Sequence, residues 1–378
     1  MALQFDLKEY LNKLETLVNV DCGSYTPHGI ATVADTITTM YEQIGFTVTR
    51  HQLHPDAGPC LEISNQPDAK VYDVMLSGHM DTVFLEGTVE KRPMSVDETH
   101  AYGPGVTDMK SGILSAWYAL KNLDEEVRNG LNILVLLNSD EEIGSIYSKQ
   151  WIQSFAKKSH QVLVCEASRP TGNLIRSRKG NAKYQLEFHG VASHAGSALA
   201  EGVSAIYELS HWSLAIKNMV NLETGTTMNV GVIEGGLAVN VVPDYAKSIV
   251  DLRFWNNDEA AAIHEKLQKM AEQPFEKGAT VTVSRLAFKP AMIPTQQTET
   301  LISLVSEEAD KLGIIHGWEN AGGGSDGNFT ADVGATTLDG FGPMGAGFHS
   351  DKEYLILNSI EPRIELLMNV LKRVKSER

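Results

Sequence analysis

Basic charge is scarce in this chain. It carries 32 Lys and Arg against 48 Asp and Glu, a formal net charge of −16. No basic stripe exists to displace counterions from a phosphate backbone, which excludes a nucleic-acid partner, and an anionic membrane surface would repel the chain. Cysteine is scarcer still. Cys22, Cys60 and Cys165 are three in 378 residues, too few and too scattered for a disulfide framework. No run approaches the roughly 20 apolar residues that a membrane span needs. Met1–Asp6 shows no basic segment followed by an apolar core, so no secretory signal is read there and the cytoplasm is the expected location. Internal repeats and low-complexity tracts are absent. No Gly-x-Ser-x-Gly elbow marks a serine hydrolase. The glycine-rich stretch 322–327 lacks the lysine of a nucleotide-binding phosphate loop.

What remains is an ordinary globular composition, 42% hydrophobic and 21% charged, long enough for about two domains. Strands are predicted at Phe46–Leu53, Tyr72–Leu76, Leu131–Leu137 and Val162–Cys165, and helices over 5–20, 29–44, 110–122 and 146–157. Leu131–Leu137 is almost wholly apolar, as a parallel strand covered on both faces should be. This alternation predicts a doubly wound α/β layer. The middle of the chain reads differently. A strand at Lys183–Phe188, a helix over 200–219, strands at Met228–Ile233 and Ala246–Phe254, a helix at Asn257–Met270 and a strand at Thr280–Leu286 follow the split βαβ order of a small α+β sandwich. The first style then resumes, with a helix near 297–312, a glycine-rich loop, a strand near 335–339, a loop to Tyr354 and a closing helix from about 359. The expected organisation is one domain of residues 1–178 and 290–378, interrupted by an insert at 179–289.

Sheets of this kind place their sites beyond the carboxyl ends of the strands. Two short words lie there, Ser77-Gly78-His79-Met80-Asp81-Thr82 and Ser139-Asp140-Glu141-Glu142-Ile143-Gly144, with Gly103-Pro104-Gly105-Val106-Thr107-Asp108 between them. Glu166 follows the next buried strand. Zinc takes imidazole nitrogen and carboxylate oxygen, and a catalytic site leaves room for water. The candidate ligands are His79, Asp108, Glu142, Glu166 and His349. Taken singly, each has a plain alternative. His79 can be a polar contact, the Glu pair a solvated first helical turn, and Asp108 a turn or helix cap. Taken together on one rim, they favour a metal site; in such sites one carboxylate can bridge two ions. Asp81 can accept the second ring N–H of His79. Of two adjacent glutamates, one can bind metal while the other carries a proton, and spacing alone does not say which. Gly322–Gly327 can cradle an anion through its amides. Arg176, Arg178 and Lys179 form either a solvated loop or a carboxylate-binding patch. Ser193-His194-Ala195-Gly196 reads as a plain turn.

The set resembles the dizinc aminoacylase/carboxypeptidase family of metallopeptidases, on its glutamate carboxypeptidase (carboxypeptidase G-like) side. The resemblance rests on Gly45–Arg50, His79–Val83, Ala101–Gly105, Asp140–Ser145, Ala192–Gly196, Asn240–Pro243, Gly322–Asp326 and Phe348–Lys352, and spans nearly the whole chain. Met109 follows Asp108 where Asp, Asn or Gly is common in the family. The resemblance implies a zinc-peptidase-like α/β catalytic domain, a mixed sheet covered by helices, with an inserted α+β sandwich that serves as dimerisation or lid domain. It implies two zinc ions per chain (cobalt or manganese would also suit the donors). His79, Asp108 and Glu166 would hold one ion, and Asp108, Glu142 and His349 the other. Glu141 would be general base and then acid, with Asp81 orienting His79. His194 would stabilise the oxyanion from a partner subunit, so a homodimer is expected. Asn240 and Arg253 would grip the substrate, with Arg178 and Gly323 as further substrate contacts. The implied reaction is amide cleavage that releases a C-terminal amino acid, glutamate among the options, from an N-acyl or peptidyl small molecule. The alternatives are an N-acyl amino acid deacylase of the acetylornithine deacetylase or aminoacylase type and, more remotely, a non-catalytic metal-binding dimer.

Overall fold

Two strands without an exposed position fix the larger sheet. In the computed structural model, which describes residues 3–376, Tyr72–His79 and Ile133–Asn138 are buried at every position. They run parallel, with Gly78 opposite Leu137 and His79 opposite Asn138. Ser159–Val164 and Thr336–Leu338 continue the parallel set on one side. Cys60–Ser64 and Thr47–His51 add antiparallel strands on the other. The result is a six-stranded mixed sheet. Side chains alternate between its faces. Val74 and Leu76 join the core formed with Tyr10, Ile113, Trp117, Leu367 and Leu371. Met75 joins Leu134, Leu136, Val162 and Ile152 on the other face.

The covering helices are locally specified. Leu7–Val18 is capped by Asp6, whose carboxylate accepts the Glu9 amide at 2.7 Å, and it buries Tyr10, Leu14, Leu17 and Val18 at helical spacing. Gln296–Leu312 opens on a capping box between Thr295 and Thr298 and ends at Gly313 with φ +65°. None of the described helices is long and apolar enough to cross a membrane.

The chain divides into two compact units. One runs to Ser177 and resumes at Pro294–Ala321 and again from Ser325. The other is Arg178–Ile293 with Gly322–Gly324. The second unit holds a four-stranded antiparallel sheet in the order Thr227–Gly235, Tyr245–Phe254, Gly180–His189, Thr280–Lys289. Every second residue of two strands is buried, Ala182, Tyr184, Leu186 and Phe188 on one and Ala246, Val250, Leu252 and Phe254 on the next. They pack on Trp212 and Ile216 of helix Ala205–Lys217 and on Ile263 and Leu267 of helix Asn257–Ala271. The first of these helices starts later than its sequence pattern implies. Ser204 caps it by accepting the Tyr207 amide at 3.2 Å, and Leu199–Glu201 is a separate short turn.

Other departures are similar in kind. The strand Cys60–Ser64 has no counterpart in the sequence reading, because Glu62 breaks its apolar run. The strand predicted at Tyr72–Leu76 continues to His79. The glycine-rich segment passes directly into a short helix, Gly327–Asp332. The stretch read as a loop before Tyr354 contains the strand Gly342–Ala346.

Candidate metal centre

His79 is the last residue of its strand and is 1% exposed. Its main-chain N–H donates to Met109 Sδ at 3.2 Å, and its ring Nδ1 faces the main-chain carbonyl of Asp81 at 3.0 Å. That carbonyl, rather than the Asp81 carboxylate 3.4 Å away, is the nearer partner, and it places the ring proton on Nδ1 and leaves Nε2 as the donor atom for a cation. Nε2 is buried and has no hydrogen-bond partner.

The five candidate ligands lie together. His79 Nε2 is 3.3 Å from Asp108 Oδ1 and 3.4 Å from Glu166 Oε1. His349 Nε2 is 3.2 Å from Asp108 Oδ2 and 3.2 Å from Glu142 Oε2. Asp108 thus turns one oxygen to each His/Glu pair. The ligand atoms of His79, Asp108 and Glu142 lie within 4.8 Å of one another, so the two halves form one contiguous group. Two donors about 2.0–2.1 Å from a tetrahedral zinc stand about 3.3 Å apart. The observed spacings match that, and the orphaned Nε2 of His79 is what a missing cation would leave. The donor set therefore fits metal.

Charge at the centre is frustrated without a cation. Burial, and then the neighbouring Asp108, push Glu166 up to about 7. Burial pushes Glu142 up to about 8, against the His349 hydrogen bond. Hydrogen bonds that the His349 ring donates to Asp108 and Glu142 hold its pKa up to about 10. Burial opposes charge on His79, but Glu166, Asp108 and Asp81 together raise its pKa well above the usual value. Burial opposes charge on Asp108, but the neighbouring His349 and His79 rings outweigh it and hold the carboxyl below the ordinary range. A dication would replace the protons that these groups retain.

The two glutamates occupy a short 3₁₀ turn, Glu141–Ile143, closed by Gly144 at φ +92°. It is not the first turn of an α-helix; the next α-helix begins at Lys149. Asp81 holds this turn. Its Oδ1 accepts the Glu141 N–H and its Oδ2 the Glu142 N–H, each at 3.2 Å, while Ser24 Oγ donates to Oδ2 at 2.6 Å. A second tie lies just beyond, where buried Ser145 donates to Asp326 at 2.5 Å. Asp140 accepts Tyr147 N–H at 2.7 Å and Ser148 Oγ at 2.5 Å.

The remaining expected residues lie in the second unit. His194 is exposed on the short strand Ser193–His194. Its Nδ1 accepts the N–H groups of Gly196 and Ser197, both at 3.1 Å, so the proton of the neutral ring sits on the outward Nε2. Asn240 is exposed, and its carbonyl accepts the Ala195 amide at 3.0 Å. Arg253 Nε binds Asp251 at 2.9 Å. Arg178 and Gly323, both read from sequence as substrate contacts, are partners of each other: buried Arg178 donates Nη1 to the Gly323 carbonyl at 3.0 Å. The Arg176–Lys179 cluster is likewise divided. Arg176 pairs with Glu299, and Lys179 donates to the Gly225 carbonyl.

Partly buried carboxylates, the buried imidazole of His79 and the exposed imidazole of His349, gathered at the strand and loop ends of a mixed sheet, suit a metal-dependent hydrolase of the metallo-carboxypeptidase and amidohydrolase class. Residues 75–373 match peptidase family M20/M25/M40, and the chain belongs to that family. It is 32% identical over 373 residues to carboxypeptidase G2 of Pseudomonas sp. (strain RS-16), covering 96% of this chain and 88% of that protein. It is 27% identical over 257 residues to acetylornithine deacetylase of Myxococcus xanthus, covering 64% of this chain and 65% of that one. Its fold is similar to aminopeptidase PepT from Bacillus cereus, with a TM-score of 0.81 at 21% identity over 98% of this chain and 99% of that one. It is also similar to the metallo-carboxypeptidase Sso-CP2 from Sulfolobus solfataricus, with a TM-score of 0.75 at 18% identity over 98% and 100% of the two chains.

Proposed function

We propose that this chain is a dizinc hydrolase that cleaves the amide bond of an N-acyl or peptidyl substrate and releases its C-terminal amino acid. The observation that carries the reading is Asp108, which presents one carboxylate oxygen to His79, itself beside Glu166, and the other to His349, itself beside Glu142. His79, Asp108 and Glu166 would hold one zinc, and Asp108, Glu142 and His349 the other. Bound there, the two ions would polarise the scissile carbonyl and acidify a water. Glu141, set beside Glu142 by Asp81, takes the proton of the attacking water and hands it to the leaving amine. His194 donates its Nε2–H to the developing oxyanion in trans, within a homodimer. Arg253 takes the free carboxylate of the leaving amino acid; Asp251 fixes its Nε, and its Nη edge has no protein partner among the described residues. Asn240 assists at the acyl side.

The inserted unit is the dimerisation or lid domain. Its edge strand Thr227–Gly235 leaves Val232 and Ile233 exposed, and helix Ala205–Lys217 exposes Ile206, Tyr207 and Leu214. An unpaired edge beside apolar side chains suits continuation of the sheet into a second copy. Three free, buried cysteines accord with the reducing cytoplasm.

Similarity to carboxypeptidase G2 favours glutamate as the leaving group. Similarity to acetylornithine deacetylase favours a deacylase, in which the same bond is cleaved and only the acyl pocket differs. A panel of N-acylglutamates, peptides with C-terminal glutamate, and acetylated amino acids, given to metal-reconstituted protein and scored by amino acid released, separates the two. No release from any amide would sink both.

A further inference from the structure

We propose that Glu353 is a positioning residue for the centre, one carboxylate that fixes the loops carrying Asp108 and His349 against each other. This rests on the reading of Asp108 as the bridging ligand. Glu353 is 0% exposed. Its Oε2 accepts the Gly105 N–H at 3.0 Å, and its Oε1 accepts the N–H groups of Thr107 and Asp108 at 2.9 and 3.0 Å. Among the described residues no cation stands within ion-pair distance of it, so three main-chain dipoles are its only neutralising contacts. Amides converging on an anion in this way form a nest.

The grip acts directly on the peptide that carries Asp108. Gly105, at φ +72°, turns the chain so that its own amide and those of Thr107 and Asp108 point to one place. The loop has little room to shift, since a Cβ on Gly345 would lie 2.1 Å from Thr107 Oγ1. Glu353 also closes the loop that follows His349: its N–H donates to the Ser350 carbonyl at 3.4 Å, and Gly347 packs so tightly there that a Cβ would lie 2.3 Å from the Lys352 carbonyl oxygen. One side chain therefore joins the bridging ligand to a second ligand four residues upstream. A glutamine would fill the same volume but turn an N–H₂ donor toward amide donors.

The test compares Glu353→Gln, Glu353→Asp and Asp108→Asn with the unaltered full-length chain. Bound zinc per chain and competition with a chromophoric chelator are read alongside kcat and KM. Partners that orient metal ligands set affinity or activity by about 10–100-fold. Glu353→Gln is expected to weaken one of the two ions at least tenfold and to lower kcat while KM changes less than threefold. Glu353→Asp, which keeps the charge, should recover part of the loss. Wild-type zinc affinity and kcat within twofold in Glu353→Gln would overturn the proposal. If Asp108→Asn also keeps both ions, the bridging reading itself fails. If neither Glu353 variant folds, amide exchange in the chelator-treated wild-type chain decides. Protection of Gly105, Thr107 and Asp108 comparable to the Tyr72–His79 strand supports the clamp, and loop-like exchange refutes it.

Discussion

Asp81→Asn isolates what the Asp81 carboxylate does. That group is 1% exposed and receives three donors: Ser24 Oγ at 2.6 Å, and the Glu141 and Glu142 amides at 3.2 Å each. An asparagine keeps one acceptor. Its favoured orientation leaves the oxygen on the side of Ser24 and Glu142, where two donors converge, and turns N–H₂ toward the Glu141 N–H. One hydrogen bond to a charged group is lost, worth about 1.5–3 kcal/mol, and a buried donor is left unsatisfied. The expected destabilisation is about 2–4 kcal/mol, read as a lower calorimetric melting temperature. The larger effect is on position. A shift of about 1 Å in a catalytic group costs roughly 10²-fold in rate, so kcat should fall about 10²-fold while bound metal and KM stay near wild type. His79 is not the route of this loss, because its Nδ1 faces the main-chain carbonyl of Asp81 at 3.0 Å, which every variant retains. Ser24→Ala should act in the same direction but more weakly, and the double variant should fall short of the sum, since both changes loosen one turn. A kcat within threefold of wild type, or a rate loss fully explained by lost metal, would refute the assignment of Asp81 to the Glu141–Glu142 turn.

Glu141→Gln should lower kcat at least about 10³-fold with metal content unchanged by elemental analysis; normal turnover would remove Glu141 from the proton path. Metal loading should depend steeply on pH. In the metal-free chain Glu142 is raised to about 8, Glu166 to about 7 and His349 to about 10, so these groups hold protons near pH 7 that binding must expel. Affinity should rise with pH across 6–9, and calorimetry in buffers of different ionisation enthalpy should show more than one proton released per chain at pH 7. By the same sign, the metal-free fold holds more protons than the unfolded chain, and its stability should decline as pH rises through this window. On the proposed homodimer, Ile233→Lys, on the exposed edge of the second unit, should lower the mass read by light scattering to that of one chain and lower activity with it; an unchanged mass would refute pairing through this edge.

The candidate ligands were legible because metal chemistry leaves side-chain marks. His79, Glu142 and Glu166 follow apolar runs that read as buried strands, and Asp108 sits in a loop rich in glycine and proline. Their holders leave no such mark. Glu353 contacts main-chain N–H groups 245 to 248 residues away, and a main-chain partner has no residue identity to read. Arg178 and Gly323 looked like two substrate contacts because each type suits that role, yet an arginine donor and a glycine carbonyl satisfy each other equally well. The strand Cys60–Ser64 leaves no clear mark for a related reason: five residues buried on both sides of a single glutamate show neither alternation nor an unbroken apolar run.

Met109 shows how far local reading can go and where packing must take over. By sequence it departs from the residues common beside the bridging aspartate. In the structure it is 0% exposed, and its Sδ accepts the His79 N–H at 3.2 Å. A thioether is a weak acceptor, but it satisfies a buried amide that leads into a ligand. The space for it comes from Gly78. A Cβ there would lie 2.6 Å from Met109 Cε and 3.3 Å from Leu137 Cδ2. Gly78 and Met109 are thus one arrangement, in which a missing methyl on the strand admits a flexible side chain from the loop. The glycine beside His79 is accounted for by this packing.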